Sequence, residues 1–250
     1  MSSTSTGGFA AAPGQFRVGS VMNKTFAILG RRFGKFALLA LLPMVPVLLV
    51  TLAMLTSSPP SASSFGAAIA AILFGLLTFV LQILAQATSL YGAFQEMRQK
   101  PFTIGDSLRI GLARTVPVIG VGILIALAMM LGFLLLVVPG IILGCMLYVA
   151  IPACVIEKLG VTASMSRSVA LTKGYRWQIF GLFLLVIVVS AVGAFAFTLI
   201  GGNGLIGQIL AFGWQVVSTA FAAVQSAVIY HDLRMAKEGI DLDTLANVFD

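Results

Sequence analysis

Charge is the scarcest commodity in this sequence. Its 250 residues hold 15 Lys or Arg and 8 Asp or Glu, so only 9% are charged, against roughly 25% in a soluble globular domain. With 59% hydrophobic residues, too little polar surface remains to cover a water-soluble fold. The same composition excludes disorder, collagen and a disulfide scaffold. Histidine occurs once, at His231, so no multi-histidine metal site can be built. The two cysteines, Cys145 and Cys154, stand nine residues apart. That is roughly 13 Å of helical rise, on opposite faces, beyond disulfide reach, and they read as small packing residues.

The ingredients of hydrolysis are absent as well. Glu96, Asp106, Glu157, Asp232, Glu238, Asp241, Asp243 and Asp250 all fall in short polar segments beside basic residues. Asp106 with Arg109, and Asp232 near Arg234, read as ordinary interfacial pairs, and the neighbours His231 and Asp232 should not face each other on a helix. Gly201-Gly202-Asn203-Gly204 lacks the following Lys of a phosphate loop. The expectation is a non-enzymatic protein without metal or cofactor.

What is present is long uncharged runs. Six stretches qualify, or nearly so, as membrane spans of ~20 residues: Phe36–Leu55, Ala67–Leu90, Val116–Val138, Ile141–Ile156, Ile179–Ile200 and Leu205–Tyr230. The fourth is short and contains Pro152, but Val116–Ile156 is too long for one crossing. Pro139-Gly140 should be the turn that divides it; a re-entrant loop is the alternative. The basic residues sit in four segments: the one before span one, the second-to-third and fourth-to-fifth connections, and the C-terminus. The other three connections have none. This bias puts both termini in the cytoplasm of a bacterial inner membrane. Topology thereby explains the net charge of +7, without nucleic acid. Tyr91, Tyr175, Trp177 and Tyr230 fall where an interfacial aromatic belt belongs. Residues 1–15 read as a disordered tail rather than a cleavable signal, 16–235 as the membrane domain and 236–250 as a short cytoplasmic tail.

A short amphipathic segment precedes each pair of spans. In the first, Val18, Met22, Phe26, Leu29 and Phe33 fall within about 80° on a helix, with Arg17, Lys24 and Arg31 on another face. Arg17, Lys24, Arg31, Arg32 and Lys35 are the candidate contacts to anionic lipid headgroups. The second carries Ile104, Leu108 and Leu112; the third Val161, Met165 and Val169. The unit of surface helix and two spans recurs three times, as a true repeat or as the generic spacing of a multi-span chain.

No ionisable residue lies inside a span, which argues against a proton relay or ion-coupled transport. Amides and hydroxyls remain. Thr78, Gln82, Gln86 and Ser89 share an arc of about 80° on the second span, and Gln208, Gln215, Thr219 and Ser226 one of about 40° on the sixth. Both stripes should turn inward, to bond between helices or to line a polar path between spans two and six. The latter would make the chain a small-solute permease or channel. Ala67, Ala71 and Gly75 form a row suited to close helix approach.

The block LVVPGIILGCMLYVAIPACVIEKLGVTASMSRSVALTKGYR (136–176), the C-terminal YHDLRMAKEGIDLDTLA and the N-terminal FRVGSVMNKTF together resemble the membrane domain of glycerophosphoryl diester phosphodiesterase and the related YciC-like bacterial inner-membrane proteins. The resemblance spans nearly the whole chain and implies six crossings. It implies no hydrolase activity, since the catalytic domain to which some members are fused has no room here. His231 also stands where a second aromatic is expected. The favoured reading is a lipid-associated or scaffolding membrane domain; partner proteins and oligomeric state are left open.

Overall fold

The computed structural model describes residues 16–56, 65–202 and 204–238, and all regular structure among them is α-helical. The elements are α1 (Val18–Arg31), α2 (Phe33–Thr56), α3 (Phe65–Met97), α4 (Ile104–Ala113), α5 (Thr115–Leu135), α6 (Val137–Leu147), α7 (Ala150–Ile156), α8 (Val161–Thr172), α9 (Arg176–Gly201) and α10 (Leu205–Glu238). Six are long and apolar enough to cross a membrane when α6 and α7 count as one. The chain is an all-α polytopic membrane protein, as expected. Residues 1–15 and 239–250, which hold the expected N-terminal tail and most of the C-terminal one, lie outside the described residues.

The expected order recurs three times: α1 before the α2–α3 hairpin, α4 before α5 and α6–α7, α8 before α9–α10. In the first two units the surface helix turns into its span through one basic residue. Arg32 (φ −139°, ψ 40°) and Arg114 (φ −104°, ψ 4°) leave helical geometry only at that corner. In the third the corner is wider and uses Gly174 at φ 93°, a conformation that glycine adopts without strain.

The turn expected at Pro139-Gly140 lies elsewhere. The helix breaks at Leu136 (φ −165°, ψ 155°), and Pro139 sits in the first turn of α6, where its missing N–H leaves nothing unsatisfied. Gly140 serves the packing of the hairpin instead. A Cβ on its partner Gly132 would stand 2.7 Å from Gly140 Cα, so the two backbones touch. The fourth span then runs back to the basic residues over a length apolar enough to cross, and it is the most buried of the six. It breaks once, at Tyr148-Val149 between α6 and α7. Pro152 lies four residues beyond Tyr148, so its ring presses on that carbonyl and it offers no N–H in return.

Because the spans alternate in direction, all 15 basic residues gather at one end of the bundle, here called the basic end. Burial follows the same axis. Leu90, Leu182, Ile229 and Tyr230 near the basic end are fully buried, whereas Phe65, Leu134, Leu199 and Ile206 near the other end are exposed. The expected aromatic belt divides accordingly: Trp177 is exposed, but Tyr230 is a core residue, edge-on to Phe94 at 5.7 Å between ring centroids. Helices α3 and α10, of 33 and 34 residues, are each about 50 Å long at 1.5 Å per residue. Both exceed a hydrocarbon core of ~30 Å and carry the fold beyond it at the basic end. Helix α10 continues to Glu238. In the row Ala67, Ala71, Gly75, the last two are exposed, and no atom of a neighbouring helix lies within 4 Å of a Cβ built on Gly75.

Candidate functional site

The two polar stripes meet at one point. Gln82 Nε2 donates to Thr219 Oγ1 at 2.8 Å, and Thr219 in turn donates to its own helix at the Gln215 carbonyl, 2.8 Å away. The remaining members disperse. Thr78 and Ser226 donate to backbone carbonyls of their own helices. Ser89 is buried with its hydroxyl unpartnered. Gln86 and Gln208 are half-buried, and Gln215, expected to turn inward, is exposed. The outward turn has a geometric cause. Val216, Ala220, Ala223 and Ala227 take the interior face of α10, and Gln215 lies about 100° from Val216.

The candidate headgroup cations are mostly engaged within the protein. Lys24 Nζ lies 2.8 Å from Asp232 Oδ1, and His231 Nδ1 lies 3.2 Å from the same oxygen. That is a correction to the expected separation of His231 and Asp232, since side-chain torsions bring adjacent residues together where helix phase alone does not. Arg32 pairs with Glu96 at 2.7 Å. Lys35 donates to the Phe102 carbonyl at 3.1 Å and lies 5.0 Å from the centre of that ring. Arg17 and Arg31 are exposed.

The surface helices dock by a face that only partly coincides with the one their apolar residues mark. Thr25 with Val21 and Leu29 on α1, Ser107 and Gly111 on α4, and Ser164, Ser168 and Thr172 on α8 are buried. The neighbouring apolar row is divided: Phe26, Phe33 and Leu112 are exposed, whereas Leu29 is buried and Met22, Ile104, Leu108 and Val161 pack half-buried against the core. Small residues let the helix axis approach closely, and several of the larger apolar side chains are then left toward the surroundings.

Hydroxyls on these helices and on α3 also satisfy backbone that the prolines and the break expose. Pro43 inside α2 cannot donate to Leu39, four residues earlier; Thr88 Oγ1 of α3 lies 3.2 Å from that carbonyl, sharing its one proton with the Leu84 and Ala85 carbonyls of its own helix at 3.0 Å. A Cβ on Gly111 of α4 would lie 2.3 Å from the Thr88 methyl, so Thr88 is wedged between α2 and α4. At the break in the fourth span, Ser168 of α8 donates to the Met146 carbonyl at 2.7 Å, and Thr172 Oγ1, bonded to the Ser168 carbonyl at 2.9 Å, lies 3.3 Å from the same Met146 oxygen. Neighbouring hydroxyls of this kind keep irregular backbone tolerable at membrane depth.

The densest cluster of ionisable groups joins α7, α8 and α10 and was not anticipated. Arg167 Nε lies 3.0 Å from Glu157, and Arg167 also pairs with Glu238. Arg234, nearly buried, reaches Glu157 at 3.5 Å and Glu238 at 3.2 Å. The Tyr230 hydroxyl donates to Glu157. Burial disfavours the charge on Arg167, but hydrogen bonds from it to Glu238 and Glu157 outweigh this and hold the guanidinium above its ordinary range. The cluster clamps the fourth span to the end of α10. One sequence signal pointed to it: Arg234 and Glu238 are i,i+4 neighbours on a helix that continues past the apolar run.

A cavity of about 430 Å³ lies between α1, α9 and α10, lined by apolar side chains such as Met22, Phe26, Val189 and Phe221, with Trp214 and the two hydroxyl residues Ser190 and Ser218. It is not bounded by the α3 stripe. Both cysteines are buried and unbridged, and no group of His, Cys, Asp or Glu suited to a metal occurs among the described residues.

Fold and sites together define the class, a six-span membrane protein whose polar organisation is concentrated at one end. No family model, curated protein or solved structure matches this chain.

Proposed function

We propose that the chain is a non-enzymatic membrane domain that organises lipid, or scaffolds a partner, at the cytoplasmic face of a bacterial inner membrane. The observation that carries this reading is the set of outward apolar side chains on the surface helices beside exposed cations. Phe26, Phe33 and Leu112 are exposed, and so are Arg31 and Arg109. Apolar side chains next to guanidinium groups suit the boundary between acyl chains and anionic headgroups. The basic end, carrying both described termini, is then the cytoplasmic end. The resemblance of the 136–176 block to the glycerophosphoryl diester phosphodiesterase membrane domain fits the same reading, and that kinship is part of the proposal.

The permease alternative needs an open polar path between spans two and six. It draws less support, because Gln82 spends a donor on Thr219 and Gln215 is exposed.

Reconstitution tests the choice. Native mass spectrometry of protein released from nanodiscs is expected to retain anionic phospholipid, and proteoliposomes are expected to pass no small solute. Solute flux that stops on Gln82→Leu substitution would replace this reading with the permease. Reporter fusions at Gln99 and Lys158 should read cytoplasm and one at Leu136 periplasm; the opposite pattern overturns the orientation.

A further inference from the structure

We propose that the cavity between α1, α9 and α10 seats one acyl chain of an anionic phospholipid from the leaflet at the basic end. The inference rests on the lipid reading above and names the lipid class and its place.

The first support is chemical. The lining is almost wholly hydrocarbon and aromatic: Met22, Phe26 and Leu29 from α1, Leu185 and Val189 from α9, Phe221 from α10. Besides the Ser190 and Ser218 hydroxyls its one side-chain donor is Trp214 Nε1, which is already committed to the Ser190 carbonyl at 3.0 Å. A polar solute would lose hydration here and gain few bonds. A hydrocarbon chain loses nothing.

The second support is position. Phe26, Leu185 and Val189 line the cavity and are also among the exposed large hydrophobic residues. The cavity is therefore continuous with the outer apolar surface, as lateral entry from a bilayer requires. Its floor is α1, which Met22 and Phe26 bind to α10: Gln225 Nε2 lies 3.5 Å from Met22 Sδ, and the Phe26 and Phe221 rings are 5.4 Å apart. That places the cavity on the side of α1 that faces α10, reaching about 20 Å down α9 from Arg176 to Ser190 at 1.5 Å per residue.

The third support is charge complementarity. Helix α1 contains no acidic residue. Lys24 precedes the lining pair Phe26 and Leu29, Arg31 follows it, and both cations are exposed although Lys24 also holds Asp232. The two stand one above the other on a single face of α1, across the helix from Phe26, so the headgroup of a seated chain meets their positive field from one direction.

Trp214 makes the test direct. The chain has two tryptophans, so Trp177→Phe leaves Trp214 as the sole reporter. The protein is reconstituted in vesicles containing phosphatidylglycerol or phosphatidylcholine brominated on the acyl chain, and quenching is followed against the brominated fraction. The expected result is a preference of roughly fivefold for the anionic lipid, the size that one cation near the surface provides. Ser190→Leu with Ser218→Leu fills the cavity and should remove the preferential quenching. Arg31→Gln, at an exposed position, should remove the preference without disturbing the fold. Equal quenching by the two lipids overturns the proposal. So does a preference that survives both variants, or quenching by brominated free fatty acid that phospholipid does not reproduce. Solute flux in the reconstitution assay would sink the functional reading alone, because Trp214 would still report a seated chain.

Discussion

The two ends of this bundle are made from similar helices and held by different means. At the basic end, α10 is surrounded and its side chains from Ala223 to Tyr230 are buried without a gap. Six charged residues, a tyrosine and several hydroxyls link α1, α2, α3, α7, α8 and α10 there. At the other end, α3 before Phe74 and α9 beyond Ser190 present Leu, Ile, Val and Phe side chains outward, and the α5–α6 hairpin closes on backbone contact at Gly132 and Gly140. Lipid is as apolar as those side chains, so no hydrophobic gain draws the helices together there. Cohesion must come from close packing and from polar groups that would otherwise be unsatisfied, and both are concentrated at the basic end.

The sharpest way to break the contrast is to remove the centre of the ionic cluster. Glu157→Gln leaves Arg167 and Arg234 sharing the Glu238 carboxylate and gives Tyr230 a neutral amide oxygen in place of a charged acceptor. Removing one partner from a buried ion cluster costs about 3–5 kcal/mol. These groups keep some solvent contact, so a loss near the lower end, about 3 kcal/mol, is expected in detergent unfolding. A double-mutant cycle with Arg234→Gln should show strong coupling; additivity would mean that the clamp is only a crowd of surface charges.

A smaller effect is expected at Thr88. Thr88→Val keeps the shape wedged against Gly111 but removes the donor to the Leu39 carbonyl. An unsatisfied buried acceptor costs about 1–3 kcal/mol, and hydrogen bonds between membrane helices average nearer 0.6 kcal/mol. About 1 kcal/mol is expected in the same assay, with Thr88→Ser milder. Loss equal to that of Glu157→Gln would shift the weight of cohesion from the charges to the hydroxyls. Gln82→Leu, which cuts the one bond between the stripes, should cost about 0.6 kcal/mol on the same scale.

The six spans and the gathering of cations were legible because both follow from composition along the chain. A run of Leu, Val and Ala announces a crossing wherever its neighbours are, and Arg17 to Lys35 announce a side. The docking faces were not legible. The apolar arc from Val18 to Phe33 is real, but the docked face is turned toward one edge of it, sharing Leu29 and adding Val21 and Thr25, since in a bilayer an apolar row has two acceptable solvents and periodicity cannot choose between them. The turn was misplaced for a related reason. Pro139 is read as a breaker, yet at the third position of a helix it breaks nothing, and the real break at Leu136 has no chemical mark. Thr88 was overlooked although Pro43 announces an orphan carbonyl at Leu39, because the hydroxyl that answers it lies 49 residues away.

The least effect should come from the end where side chains face lipid. In a soluble core, Leu→Ala costs about 2–5 kcal/mol through lost transfer energy and the cavity left behind. Leu134 at the α5–α6 tip is 80% exposed, so truncating it opens no cavity, and acyl chains fill the space at little cost. Leu134→Ala and Leu199→Ala are therefore expected to stay within about 0.5 kcal/mol of the parent, the range of surface substitutions, when unfolding is followed in lipid nanodiscs. A loss several times larger would mean that this end is covered in the membrane by another protein surface. The contrast between the two ends would then belong to the isolated chain and not to its assembled form.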